Sequence, residues 1–268
     1  MMEKDVYNEK GLPPRFKQMS IFSWLGLVVF LTFFLHSMYI GGLTPERMLT
    51  GVGRLGTFLQ HAFPPSLDRL PNILLAILET FEMALVGTFF GAFLSLPLAL
   101  LAAKNTSPHS FVYYATRLLI SFLRAVPDLV WALIFLVIVG LGPGAGILAI
   151  IIDVMGFCGR FFAERIEEIE KDTLEALRMT GVSALGVVVG AVIPSGMPSF
   201  VATTMFSLES SLRSAVVLGV VGAGGIGIEL STSMQLLRYN EANTIILVIF
   251  LAVAVTERTS SVIRKRFI

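Results

Sequence analysis

The sequence predicts an all-α integral membrane protein with about six spanning helices. Three observations carry that prediction. Hydrophobic residues make up 55% of the 268 and charged residues only 15%, with 21 Phe. The mean hydropathy of +0.80 exceeds what a soluble core requires. Finally, apolar runs repeatedly reach the roughly 20 residues needed to cross a bilayer.

In chain order the predicted spans are 19–41, 76–103, 112–139, 143–163, 184–207 and, with a weaker apolar run, 241–262. Residues 1–18 read as a cytoplasmic arm and residues 19–268 as one transmembrane domain. Between the third and fourth spans, Gly140-Leu-Gly-Pro-Gly-Ala-Gly146 reads as a tight turn at a membrane face. Residues 42–72 form a loop on the outer side. The run Ser214–Ile228 is short for a span and holds Gly219, Gly222, Gly224, Gly225 and Gly227, so it reads as non-spanning or re-entrant.

Charge distribution supports six spans with both termini in the cytoplasm of a plasma membrane. Of the 20 Lys and Arg, fourteen fall on the inner side: in the arm, in the 104–117 connection, over 160–178 and over 258–266. Arg47, Arg54, Arg69, Arg213 and Arg238 lie outside, and Arg124 lies within a span. This is the positive-inside asymmetry, and a seventh span would invert it at Arg264–Arg266. The arm mixes acidic with basic residues before a long apolar stretch, unlike a cleavable leader. The lone Cys158 forms no internal disulfide, and the net charge of +1 carries no nucleic-acid signal.

Residues 172–181, Asp-Thr-Leu-Glu-Ala-Leu-Arg-Met-Thr-Gly, form a polar island between apolar runs. Asp172 suits an N-cap, Glu175 the capping-box position, and Gly181 a left-handed stop. So short a helix needs external support. Leu174, Leu177 and Met179 offer an apolar face for a partner at the membrane surface.

Catalytic and metal chemistry find no constellation. Gly222-Ala-Gly-Gly-Ile-Gly227 satisfies G-x-G-x-x-G, but no soluble βαβ unit surrounds it and no acidic residue follows at the required distance. Close helix packing, or backbone freed to line a path, explains these glycines better. His36, His61 and His109 sit on three segments without carboxylate or Cys at ligand spacing. Ser183 misses the nucleophile-elbow spacing and no His follows it. The expectation is a non-enzyme with no catalytic residue, no metal and no cofactor of its own.

Charges inside apolar segments are costly and mark pathways or helix-joining pairs. Arg124 and Asp128, four apart, are expected on one face and able to neutralise each other, with Asp153 as another partner for Arg124. Glu209 and Arg213 repeat the spacing.

Glu175-Ala-Leu-x-x-x-Gly181 followed by Ala191-Val-Ile-Pro194 resembles the EAA loop of ABC-transporter permeases, with its usual spacing of Glu-Ala-Ala, three residues, Gly, nine residues, Ile-x-Leu-Pro. Leu177, Ala191 and Ile193 replace Ala, Ile and Leu. Glu79-Thr-Phe-Glu-Met-Ala-Leu-Val-Gly-Thr88, Arg124-Ala-Val-Pro127, Val139-Gly-Leu-Gly-Pro143, Arg213–Gly219, Val221–Gly227 and the terminal Arg264–Ile268 are similar to the permease subunit of phosphonate importers. One departure is Phe206-Ser-Leu-Glu209, where that subfamily often has Tyr-Arg-Phe-Glu. The resemblance implies the type I ABC importer permease (MetI-like) fold, with about 172–181 as a cytoplasmic coupling helix. It also implies a homodimer, two cytoplasmic ATPase subunits that bind the ATP and Mg, and an external substrate-binding protein delivering a phosphonate, phosphite or phosphate-like oxyanion. Glu175, Ala176, Leu177, Gly181 and Pro194 would couple to the ATPase, and this chain has no Walker A motif of its own. Arg124, Asp128, Asp153, Glu209, Arg213 and the glycines 222, 224, 225 and 227 would line the pathway or gate. Methionine-like solutes and an ion-coupled carrier using Asp153, Glu209 or Glu257 are the alternatives.

Overall fold

A computed structural model describes residues 21–267, and every regular element among them is a helix. The predicted arm 1–18 lies outside the described residues. Contacts divide the chain into two units, Met1–Gln60 and His61–Ile268.

The first unit holds α1, Ile21–Ile40, and most of α2, Pro45–Ala62. No residue of α1 is buried, so its apolar side chains are left for lipid. Two residues of the 42–72 loop start α2 efficiently. Thr44 Oγ1 accepts from the Arg47 amide at 3.4 Å, and Pro45 follows with its φ already helical. The expected outer loop therefore contains an amphipathic helix.

The second unit is built on three helices. These are α3 (Leu70–Ala102), α6 (Pro143–Glu167) and α9 (Ile193–Val220), each packed on the other two. Small residues let α3 and α6 approach closely. A Cβ on Gly87 would meet Ile150 Cβ at 2.7 Å, one on Gly91 would meet Val154 Cβ at 2.7 Å, and Ser95 Oγ donates to a carbonyl of α6, Met155 O, at 3.2 Å. Glycine, glycine and serine at four-residue intervals thus form one contact seam. On the α6 flank lie α4 (Ser110–Ala125) and α5 (Asp128–Val139). The stripe Tyr113, Thr116, Ile120 and Leu123 is the buried face of α4. On the α9 flank lie α10 (Ile226–Gln235) and α11 (Tyr239–Phe267).

Among the described residues five helices are long and apolar enough to cross a bilayer, or six if the bent α4 and α5 count together. The continuous span expected over 112–139 is corrected here. Its helices meet at 88°. Pro127 supplies no amide and pushes Val126 out of the helical region, to φ −92°, ψ 121°. The span expected over 184–207 runs further, as α8 (Ala184–Val187), a π-helical turn (Val188–Val192) and α9 to Val220. That extension absorbs the first half of the run 214–228. It also makes Arg213 part of α9.

Candidate functional site

The polar island folds as α7, Lys171–Met179. Asp172 occupies the first turn and not the N-cap, since the helix begins one residue before it; there its charge suits the positive end of the helix dipole. Gly181 ends the segment at φ +77°, the left-handed stop its position predicts. Thr180 reinforces that end, its amide and its hydroxyl both donating to Leu177 O at 3.2 and 2.6 Å.

Glu175, Ala176 and Gly181 face solvent, and Met179 is 88% exposed. Leu177 does not belong to this face. It is half-buried, and its Cδ2 lies 3.3 Å from where a Cβ on Gly190 would stand, inside the π-helical turn. The expected docking face is corrected accordingly, because Leu177 ties α7 to its own chain. The side chain of Leu174 lies outside the described residues. Pro194, the end of the motif, is the second residue of α9 and follows directly on the π-helical turn.

A second site gathers the other quoted motifs at one place. Gly222, Gly224 and Gly225 take φ values of +106°, +93° and +68°, and they turn the chain between α9 and α10. Gly142, at φ +132° in the turn before α6, donates its amide to Gly222 O at 3.1 Å, so two glycine turns are joined. Thr80 Oγ1, on α3, accepts from the Ile226 amide at 2.8 Å and satisfies an orphan donor at the start of α10. A Cβ on Gly224 would come within 2.9 Å of Glu79 Oε1 and 3.1 Å of Pro143 N. Gly227 packs on Gly219, backbone against backbone. The glycines therefore serve both close packing and a broken backbone, and Ser214–Ile228 is no independent segment.

The intramembrane charges separate into one pair and one looser group. Glu209 and Arg213 pair at 3.0 Å on α9, with the carboxylate nearly buried and the guanidinium half-exposed. Between these two residues on the same helix, Ser211 Oγ accepts from Thr88 Oγ1 of α3 at 3.0 Å, which closes a polar contact inside the core. Arg124 and Asp128 do not share a helical face, because the helix breaks between them. Among the described residues no ion pair joins Arg124 to Asp128 or to Asp153. Both nevertheless stand within electrostatic reach of Asp153. The Arg124 stem lies over α6, with Cγ 2.9 Å from where a Cβ on Gly156 would be.

One cluster has no local signature in the sequence. Arg69, just before α3, donates to Glu229 of α10 at 3.0 Å and to Glu241 of α11 through its other terminal nitrogen. Glu229 first, and then the hydrogen bond to Glu241, hold the guanidinium pKa above its ordinary value. Arg238 adds a longer contact of 3.7 Å to Glu241. The clasp binds α10, which follows the glycine turn, to the starts of two long helices. Arg69→Ala is expected to lower stability by roughly 1–2 kcal/mol, a charged hydrogen-bond loss moderated by partial exposure. Thermal unfolding in nanodiscs checks this, and Arg69→Ala should lose most of its effect in a background carrying both Glu229→Gln and Glu241→Gln.

Comparison with known proteins follows the same outline. Residues 95–257 match the family model described as "Binding-protein-dependent transport system inner membrane component". The phosphite transport system permease protein PtxC of Stutzerimonas stutzeri is 35% identical over 90% of this chain and 87% of its own length. The phosphate-import permease protein PhnE of Mycolicibacterium smegmatis is 38% identical over 82% of this chain and 42% of its own length. Among solved structures, the inward-facing MetNI methionine ABC transporter superposes with a TM-score of 0.67 at 21% identity, over 76% of this chain and 99% of that one. That likeness establishes the shared fold.

Proposed function

Because the chain belongs to the family of binding-protein-dependent transport system inner membrane components, we propose that it is the permease of an ABC importer for a phosphite- or phosphonate-type oxyanion. It is a multi-pass transport subunit. In this reading a separate ATPase supplies the energy and binds the ATP and Mg, and a separate binding protein delivers the anion from outside. Two copies of the permease form the pathway, and both termini face the cytoplasm. The family removes the ion-coupled carrier as the rival reading. The similarity to phosphite and phosphate permeases over most of this chain favours the oxyanion over methionine.

The observation that carries the mechanism is α7, a nine-residue helix with Glu175, Ala176 and Met179 turned outward. ATPase closure pushes on this surface. Leu177, seated against Gly190, passes the push into the π-helical turn and on to α9. There Arg213, tethered by Glu209, offers positive charge to an anion, and Arg124 can do the same near the α4–α5 break. The turn at 222–225, tied to α3 by Thr80 and to the 140–143 turn by Gly142, gives the gate a defined hinge. Rocking of packed helices then alternates access.

The test is ligand-stimulated ATP hydrolysis by the chain in nanodiscs with its ATPase and binding protein. Methylphosphonate, phosphite, phosphate and methionine are compared. Phosphite or methylphosphonate is expected to stimulate turnover severalfold above the unliganded assembly, as closure requires the loaded binding protein. Stimulation by methionine alone overturns the substrate and leaves the permease; failure of any ATPase to associate overturns the coupling role of α7.

A further inference from the structure

The helix α2 is used by none of this, and its sequence is sharply two-sided. At 100° per residue Met48, Leu49, Val52, Leu55 and Leu59 fall within an arc of roughly 120°, while Glu46, Arg47, Thr50 and Arg54 occupy the opposite side. The apolar side is open, with Leu49 74% and Val52 69% exposed. A face of that kind is not left in water.

Chain length identifies what covers it. Only residues 41–44 separate α2 from α1, an apolar span with no buried residue, and only residues 63–69 separate it from α3, another span. Since α1 and α3 each cross, both ends of α2 are tethered to the same bilayer face. Standing upright, its 18 residues would lift Ala62 about 27 Å. Seven residues reach roughly 25 Å only when fully extended. This connector is not extended, because the Leu70 amide turns back to Leu67 O at 3.1 Å and the Ser66 amide donates to Asn240 O at 3.3 Å.

We propose that α2 lies along the bilayer surface, with Met48, Leu49, Val52, Leu55 and Leu59 sunk among acyl chains and Arg47 and Arg54 level with lipid phosphates. Its partner is the lipid itself. The polar side of an interfacial helix carries cations where phosphate is dense, as Arg47 and Arg54 do here. The proposal goes beyond the transport reading and does not depend on which solute is carried. It assigns the segment between the first two spans as a surface anchor.

The experiment places a nitroxide label singly at positions 48, 50, 52, 54, 55 and 59 of the full chain in nanodiscs of phosphatidylethanolamine and phosphatidylglycerol. Cys158 is buried and stays unlabelled. Collision with oxygen, which partitions into lipid, is compared with collision with a water-soluble nickel chelate. Labels at 48, 52, 55 and 59 are expected to favour oxygen, at a depth of about 5–10 Å below the phosphates, and those at 50 and 54 to favour nickel. Equal nickel access at 52 and 54 overturns the proposal, because the apolar side then faces water. Shielding of 52 from both reagents also overturns it, by showing protein on that face. So does protection of 52 that appears only when the binding protein is added. Since no ATPase or transported solute enters the measurement, its failure is distinguishable from failure of the transport reading.

Discussion

Gly219→Val is expected to be strongly destabilising. A Cβ at 219 would stand 2.5 Å from Gly224 O, 2.8 Å from Gly227 Cα and 3.0 Å from Gly227 N. All three are main-chain atoms, so no side-chain rotation relieves the clash. The turn that would have to yield is held by the Gly142 amide on Gly222 O, by the Ala223 amide on Leu218 O and by the Ile226 amide on Thr80 Oγ1. The cost is expected at about 3 kcal/mol or more, the upper end for overpacking, because backbone and three hydrogen bonds shift together. Gly51→Ala is the control. Nothing lies within 4 Å of a Cβ at that position in α2, and the change should be neutral or stabilising by up to about 1 kcal/mol. Thermal unfolding of both variants in nanodiscs separates them. Equal melting temperatures would show that the glycine turn can open freely, and the hinge in the mechanism would lose its basis.

Gly181 makes the second large prediction, and its logic is conformational. No atom lies within 4 Å of a Cβ built there, so space is not the constraint. The φ of +77° is. An L-residue held there loses roughly 1–2 kcal/mol, most for β-branched side chains, whereas Asn visits this region readily. Gly181→Val should therefore relax to another backbone and swing the exposed end of α7 away from its seat. Coupled ATP turnover is expected to fall about tenfold or more, since 1.4 kcal/mol is a factor of ten. Gly181→Asn should keep most of it, and both variants should insert normally. Full transport by the Val variant would show that the shape of this helix end does not matter to the ATPase.

Local rules account for what the sequence made legible. Gly181 and the glycines of 140–146 stand beside strong helix-ending signals, and Pro143 marks the next start. Glu209 and Arg213 lie one helical turn apart in an uninterrupted helix, so their pairing follows from spacing. The same spacing failed for Arg124 and Asp128 because Pro127 stands between them. Hydropathy summed over 112–139 is blind to a bend, although Pro127 was in plain view. Leu177 was assigned to the wrong side of α7 because its neighbour, Gly190, lies beyond the helix end in a turn whose winding no residue pattern announced. The Arg69 clasp joins residues 160 and 172 positions apart. Pairings of that separation are created by the packing of α3, α10 and α11, and no window of sequence contains them.

The π-helical turn at Val188–Val192 fixes something that neither packing nor charge expresses, the compass bearing of the helix that follows. Each residue along a helix rotates the next side chain by about 100°, and a π turn holds one residue more than an α turn. That single extra residue decides which way Phe206, Arg213 and Val217 point relative to the exposed end of α7. Shortening the turn by one position would leave hydropathy, span length and motif residues almost untouched, yet would turn the whole of α9 by over a quarter of a circle. Length at this spot is thus a setting of direction, and a one-residue difference between relatives here changes which surface of the same helix is aimed inward.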